Sequence, residues 1–254
     1  MEANSRHLAV VPAYNEAATI GKVVRALHEH APDFAVVVID DGSTDATCEV
    51  ALRAGARVIR HPFNLGIGGA VQSGFSFALE RGYEYMVQVD GDGQHDPREI
   101  RTLVDAMAAD PSMDMVCGSR FMSDDHSYPA PISRRTGIHI FAFLLSRIMG
   151  QRVSDPTSGF RLYNRRAISL FAHDYPHDYP EVEAVLMVHF HRLQMAEEPV
   201  RMFERSGGRS SIAGSGKSAY YMIKVLLAIF VGLARERPVV EPGDEAPVAA
   251  THGF

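Results

Sequence analysis

Cysteine is scarce in this 254-residue chain, and the scarcity is informative. Cys48 and Cys117 make neither a disulfide framework nor a metal-type spacing, so a reducing, cytoplasmic setting is expected. Positive charge is short as well: 25 Lys and Arg against 31 Asp and Glu leave a formal net charge of −6. That balance excludes a nucleic acid held by bulk electrostatics. Three of the negative charges, Glu241, Asp244 and Glu245, fall in a tail from Pro238 that has no Lys or Arg, and residues 238–254 are expected to be disordered. Apolar runs are short too. A spanning helix needs about 20 apolar residues, whereas Val225 to Ala234 supplies ten, directly after Lys224. Residues 218–237 therefore read as an amphipathic helix resting on an interface or packed on a partner, with a plain core helix as the alternative. Met1 to His7 is polar and has no apolar signal-peptide core, and the chain contains no internal repeat.

What remains is ordinary in bulk and specific in pattern. The chain is 46% hydrophobic and 22% charged, enough for one large α/β domain or two small ones. Apolar runs alternate with helical segments, as in a largely parallel sheet. Strands are expected at Leu8 to Val11, Ala35 to Ile39, Arg57 to Ile59, Tyr85 to Val89 and Met113 to Gly118. Helices are expected at Glu16 to His30, after Ser43 or Thr44 as cap, from the glycine-rich Asn64 to Ala70 on to Arg81, and from Pro97. Further on, Ser133 to Met149 and Glu181 to Leu193 read as helices and Glu198 to Phe203 as a strand.

The most telling stretch is Val87-Gln88-Val89-Asp90-Gly91-Asp92-Gly93-Gln94-His95. A buried strand ends in two carboxylates spaced i, i+2, with glycines that let the backbone turn sharply. Ligands of open α/β sheets bind beyond the carboxyl ends of strands. Two acids there can share Mg²⁺ or Mn²⁺ with substrate phosphates. Two more loops belong to the same edge: Pro12-Ala13-Tyr14-Asn15-Glu16 and Asp40-Asp41-Gly42-Ser43. Their carboxylates suit a nucleobase imide or ribose hydroxyls and Tyr14 offers a ring face, while Asn15 and Ser43 serve equally as helix caps. The glycine loop at 66–71 has Val71 where a Rossmann fingerprint needs its last glycine, so a loop bordering a nucleotide, through Gly68, is the better expectation. His173, His177, His189 and His191 do not form a metal set, since i, i+2 residues on a helix face different sides.

Seven motifs in order carry a resemblance. They are Val11-Pro12-Ala13-Tyr14-Asn15-Glu16, Asp40-Asp41-Gly42-Ser43-Thr44-Asp45, Asn64-Leu65-Gly66, Asp90-Gly91-Asp92-Gly93-Gln94-His95-Asp96-Pro97, Gly118-Ser119-Arg120-Phe121, Asp155-Pro156-Thr157-Ser158-Gly159-Phe160-Arg161 and Arg205-Ser206-Gly207-Gly208-Arg209-Ser210. Over residues 7 to 215 the chain resembles family 2 glycosyltransferases, and within them the dolichol-phosphate mannosyltransferase-like branch. The resemblance implies a GT-A fold over 1–237, with a nucleotide-binding half at 7–118 and an acceptor half at 119–215. It implies a nucleotide-diphosphate sugar donor held by Pro12, Tyr14, Glu16, Asp40, Asp41 and Asp90. It also implies Mg²⁺ or Mn²⁺ held by Asp90, Asp92 and Gln94. Arg120, Arg205 and Arg209 would face donor or acceptor phosphate, with a solvated basic loop as the alternative for the last two.

In an inverting transfer a hydroxyl acceptor needs a base, and Asp155 and Glu183 are the candidates. A turn or cap is the other reading for Asp155, and an exposed helix face for Glu181 and Glu183. A phosphate acceptor is already anionic and needs no base. The expected function is an inverting, metal-dependent sugar transfer to a polyprenyl phosphate or cell-envelope glycan, with peripheral contact at the inner face of a membrane and pairing with a second subunit both open. A retaining transferase and a non-catalytic nucleotide-sugar-binding subunit are the alternatives. A sugar nucleotidyltransferase is disfavoured, because the loop after the first strand has no basic residue for a triphosphate.

Overall fold

The computed structural model describes residues 5–122, 132–177 and 180–203, together with Lys224 and Leu227. In chain order the elements are β1 (His7–Ala13), α1 (Ile20–His30), β2 (Phe34–Asp40), α2 (Thr47–Arg53), β3 (Arg57–Arg60), α3 (Gly66–Glu80) and β4 (Tyr85–Gln88). A single 3-10 turn (Pro97–Glu99) then leads into α4 (Ile100–Ala109). The second half comprises β5 (Met115–Ser119), α5 (Ile132–Met149), β6 (Arg161–Asn164), α6 (Arg165–His173), α7 (Pro180–Phe190) and β7 (Met195–Pro199).

The strands form one sheet in the order β3-β2-β1-β4-β6-β5-β7. All pairings are parallel except the two made by β6, which runs antiparallel between β4 and β5. Both faces are covered, which is why β1 and β2 read as continuous apolar runs. Leu8, Val10, Val37, Ile39 and Met86 point to the face packed by α3, α5, α6 and α7. Ala9, Val11, Val36, Val38 and Val87 point to the face packed by α1, α2 and α4. The α/β class and the mostly parallel sheet flanked by helices are as expected from the sequence.

Several element boundaries differ, each for a local reason. The segment from Glu16 to Thr19 is a turn, with the Thr19 and Ile20 amides both donating to the Glu16 carbonyl, so α1 starts four residues late. Neither Ser43 nor Thr44 caps α2. Asp45 Oδ1 accepts from the Thr47 amide at 2.9 Å instead. Strand β7 ends at Pro199, and only Met202 continues as an isolated bridge to His95. Strand β6 and helix α6 had no sequence signal strong enough to be expected. The helix at 218–237, apart from exposed Lys224 and Leu227, and the tail from 238 lie outside the described residues. Among the described residues no helix is long and apolar enough to cross a membrane.

The core is tightest where α3, β6 and α6 meet. Phe75 is fully buried, with ring centroids 4.9 Å from Tyr163, 5.2 Å from Phe171 and 5.2 Å from Tyr175. Phe75→Ala should cost about 3–5 kcal/mol of unfolding free energy, read as a lower urea midpoint with an unchanged slope.

Candidate active site

The carboxyl ends of β1, β2, β4 and β5 lie along one edge of the sheet. Because β6 is antiparallel, its first residue reaches that edge: Arg161 pairs with Gln88 on one side and Cys117 on the other. The loop before β6 and the start of α7 are thereby brought beside the strand ends.

The first two loops are stitched together. Asn15 adopts φ 56°, its amide donates to Ser43 Oγ at 2.9 Å, and its Oδ1 accepts from the Thr44 amide at 2.8 Å. The Glu16 amide donates to Thr47 Oγ1 at 2.8 Å. Tyr14 stays about half exposed on this rim, whereas Pro12 and Glu16 are buried. The two adjacent acids have different tasks. Asp41 is committed inside the protein: Oδ1 accepts from the Leu65 amide and faces His61 Nδ1 at 2.7 Å, and Oδ2 accepts from the Gly66 amide. It anchors the start of α3, a structural task beside the nucleoside role expected for it. Asp40 Oδ1 accepts from the Ser43 amide, while Oδ2, 3.3 Å from Arg60 Nε, accepts no hydrogen bond. Gly68 also has a structural task. A Cβ there would lie 2.4 Å from the Pro176 carbonyl oxygen, so this glycine serves packing against residues 176–177, where the sequence suggested a nucleotide.

The metal-type turn is held from several directions. His95 Nδ1 accepts from the Asp90 amide at 3.0 Å, which places the ring proton on Nε2, 3.7 Å from Asp90 Oδ2. The imidazole stacks on Phe160 with centroids 5.0 Å apart. Gln88 Nε2 donates to Asp90 Oδ1 at 3.3 Å, and Gly159 backs the same carboxylate. Asp92 is buried, with Oδ1 accepting from the Gln94 amide at 2.9 Å, and the Phe203 amide donates to the Gln94 carbonyl. Among the described residues no group of three or more His, Cys, Asp or Glu side chains could hold a metal unaided. Two carboxylates and an amide are hard donors of the kind that Mg²⁺ and Mn²⁺ use when phosphate oxygens complete the shell.

At the end of β5, Arg120 and Asp155 form a buried bidentate pair. Arg120 Nε donates to Asp155 Oδ2 at 2.7 Å and Nη2 to Oδ1 at 2.8 Å, with Nη2 also donating to Thr157 Oγ1. The Arg120 amide reaches Asp155 Oδ2 as well, and Asp155 is fully buried. A carboxylate gripped this way orients a guanidinium and does not accept a substrate proton. The sequence offered Asp155 as a base or as a turn or cap, and here it is placed against Arg120. Arg161, 1% exposed, donates to the carbonyls of Ser158, Pro156 and Glu181. Neither this buried cation nor Glu197, which accepts from the Ser154 and Asp155 amides, was anticipated. A charged residue in a four-residue run carries no signal of burial.

At the start of α7, the Glu181 carboxyl feels Arg161, Asp90 and Arg120. Burial raises its pKa above the ordinary glutamate value, partly opposed by a backbone hydrogen bond and by Arg161. Glu183, the acid expected as a candidate base, lies about 200° further round the helix from Glu181. Arg205 and Arg209 lie outside the described residues.

The fold is of the GT-A type, and comparison with known proteins gives the family. The model for glycosyl transferase family 2 matches residues 8–171, and this chain belongs to that family. It is 32% identical to the polyprenol monophosphomannose synthase of Mycolicibacterium smegmatis, over 83% of this chain and 82% of that one. It is also 32% identical to the undecaprenyl-phosphate mannosyltransferase of Micrococcus luteus, over 82% and 88%. Among solved structures, glucosyl-3-phosphoglycerate synthase from Mycobacterium tuberculosis, in complex with Mn²⁺, UDP and glucosyl-3-phosphoglycerate, superposes with a TM-score of 0.65. The match covers 91% of this chain and 81% of that one at 20% identity, a likeness of fold.

The raised Glu181 pKa has a thermodynamic sign. The folded state holds this proton more tightly than the unfolded chain, so the stabilisation is full below the usual glutamate pKa and is lost as pH rises through the folded value. Glu181→Gln should therefore gain stability relative to the parent between pH 4.5 and pH 8, measured by urea denaturation at both. An unchanged difference would show that Glu181 titrates normally.

Proposed function

We propose that this protein transfers a sugar, with inversion, from a nucleotide-diphosphate donor to a polyprenyl phosphate in a metal-dependent reaction. The observation that carries the reading is one sheet edge joining an Asp90/Asp92 turn, an Asp40 oxygen that lies beside Arg60 but accepts no hydrogen bond, and an oriented Arg120. The names of the relatives support the lipid-phosphate acceptor, and the Mn²⁺ and UDP of the structural neighbour support the metal and a nucleotide.

In this reading Asp40 Oδ2 accepts a nucleobase N–H, and Tyr14 lies along the base. Asp90, Asp92 and Gln94 would hold the metal, which would supply positive charge for the departing diphosphate. Gln88 and His95 fix the Asp90 carboxylate before donor arrives, so little rearrangement accompanies its binding. Arg120, locked by Asp155, presents positive charge to a phosphate, with Arg205 and Arg209 as further candidates. A phosphate oxygen attacks the anomeric carbon as the bond to diphosphate breaks, and no side chain has to take a proton. The raised pKa of Glu181 favours a second reading, in which a glycan hydroxyl is the acceptor and Glu181 takes its proton. A lipid acceptor would place the protein at a membrane surface.

The test is a donor panel. Purified protein with Mn²⁺ and UDP-, GDP- or dTDP-sugars should be stabilised against heat by one donor family, and EDTA should abolish the shift. Asp92→Asn retains the Oδ1 acceptor for the Gln94 amide, so the fold should survive. Turnover should fall about 10²–10³-fold, as expected on removing a stabiliser of developing charge. Full activity in that variant would overturn the site assignment. Glu181→Gln should leave transfer to polyprenyl phosphate unchanged under the first reading and abolish transfer to a hydroxyl under the second.

A further inference from the structure

We propose that Glu197, on the edge strand β7, is a positioning residue that sets metal affinity through the loop Ser154–Gly159. The proposal rests on the reading of Asp90 and Asp92 as metal ligands. Glu197 touches neither acid. Its Oε2 accepts from the Ser154 amide at 2.6 Å and from Ser154 Oγ at 2.7 Å, and its Oε1 accepts from the Asp155 amide at 3.0 Å. Ser154 Oγ also lies 2.7 Å from Ser119 Oγ, which ties the loop to the end of β5. One carboxylate thus closes the two consecutive amides at which the loop begins.

The rest of the loop is pinned in turn. The Ser158 amide donates to the Asp155 carbonyl, Arg161 takes the carbonyls of Pro156 and Ser158, and Ser158 Oγ accepts from the Phe160 amide. These bonds fix the run at Ser154, Asp155, Pro156, Ser158 and Phe160, on both sides of Gly159, which couples its two working ends. At the first end Asp155 fixes the plane of the Arg120 guanidinium. At the second, Gly159 sits so close to the site that a Cβ would lie 3.0 Å from Gln88 Nε2 and 3.4 Å from both oxygens of Asp90. The backbone at 159 therefore borders the Asp90 carboxylate and the Gln88 amide that donates to it, with room for no more than a hydrogen between them and Cα at the tighter point. Releasing the loop at Glu197 would free that stretch of backbone and the Arg120 fork together, although the mutated group touches no ligand. Outer partners of metal-binding carboxylates act this way, and their loss commonly weakens metal binding 10- to 100-fold.

Glu197→Gln preserves shape but turns one acceptor oxygen into an NH₂ facing a backbone N–H. Calorimetric titration of Mn²⁺ into protein with UDP or with GDP, whichever the parent binds, should show affinity falling about tenfold in Glu197→Gln. Gly159→Ala, whose Cβ would crowd Gln88 Nε2, the donor to Asp90 Oδ1, from the other end of the loop, should show the same loss. Phe75→Ala serves as the control: it destabilises the fold away from the loop and should keep the parent affinity under conditions where it is folded. Hydrogen exchange at the Ser154 and Asp155 amides should quicken in Glu197→Gln alone. Parent-like Mn²⁺ affinity in Glu197→Gln, with exchange at those amides raised, would overturn the positioning role and leave the metal assignment standing. A parent that binds Mn²⁺ with neither nucleotide would overturn both.

Discussion

The site depends first on the guanidinium of Arg161. A fully buried cation is expensive unless its donors are satisfied. Here three carbonyls, those of Pro156, Ser158 and Glu181, accept from Nε and Nη2, which fixes backbone from two separate segments and offsets part of the cost, while buried Nη1 has no hydrogen-bond partner. The position of that cation is imposed by the sheet. Antiparallel β6 sets Arg161 opposite Gln88, whose amide in turn holds Asp90. Sheet register and acid geometry are consequently one constraint: a slip of β6 by one residue would turn Arg161 to the opposite face and release the loop and the first turn of α7 together.

The parallel half of the fold was legible because its signals are local. Strands β1 and β2 are buried on both faces and read as runs of Val, Ile and Ala, and each loop that follows a strand end sits beside it in sequence. The turn at Asp90 belongs to the same class. Strand β6 was not legible, since four residues with Arg161 at their head look like surface. Asp40 and Asp41 are indistinguishable on paper. Only the return of residues 61–66 decides that Asp41 faces inward to His61 and the start of α3. Asp155 looked available because its partner Arg120 is 35 residues away. Glu181 and Glu183 differ only by helical phase, which composition does not reveal.

Two kinds of construction meet at the edge. After β1 and β2, short loops cross-link one another through backbone amides, as Asn15 does with Ser43 and Thr44, leaving Asp40 Oδ2 beside Arg60 without a hydrogen bond. Around β5, β6 and β7, charged side chains clamp a single loop. The first construction resembles a preformed cradle of N–H and carboxylate groups. In the second, Asp155 pairs with Arg120, Arg161 takes backbone carbonyls and Glu197 takes backbone amides, and together they hold the loop in place. Family 2 membership accounts for the first by shared motifs, and the network describes how this chain supports the second.

The clamped loop also roofs a thiol. Cys117, on β5 beneath it, is buried, with Sγ 3.9 Å from the Gly118 carbonyl oxygen and 4.0 Å from that of Asp155. Burial pushes its pKa up to about 11, so the sulfur stays protonated and unreactive at neutral pH. The polar network that orders the site therefore insulates the cysteine as well. Chemical silence of the sulfur and closure of the loop are a single structural state, and oxidants reach the centre of the sheet only when that state is lost.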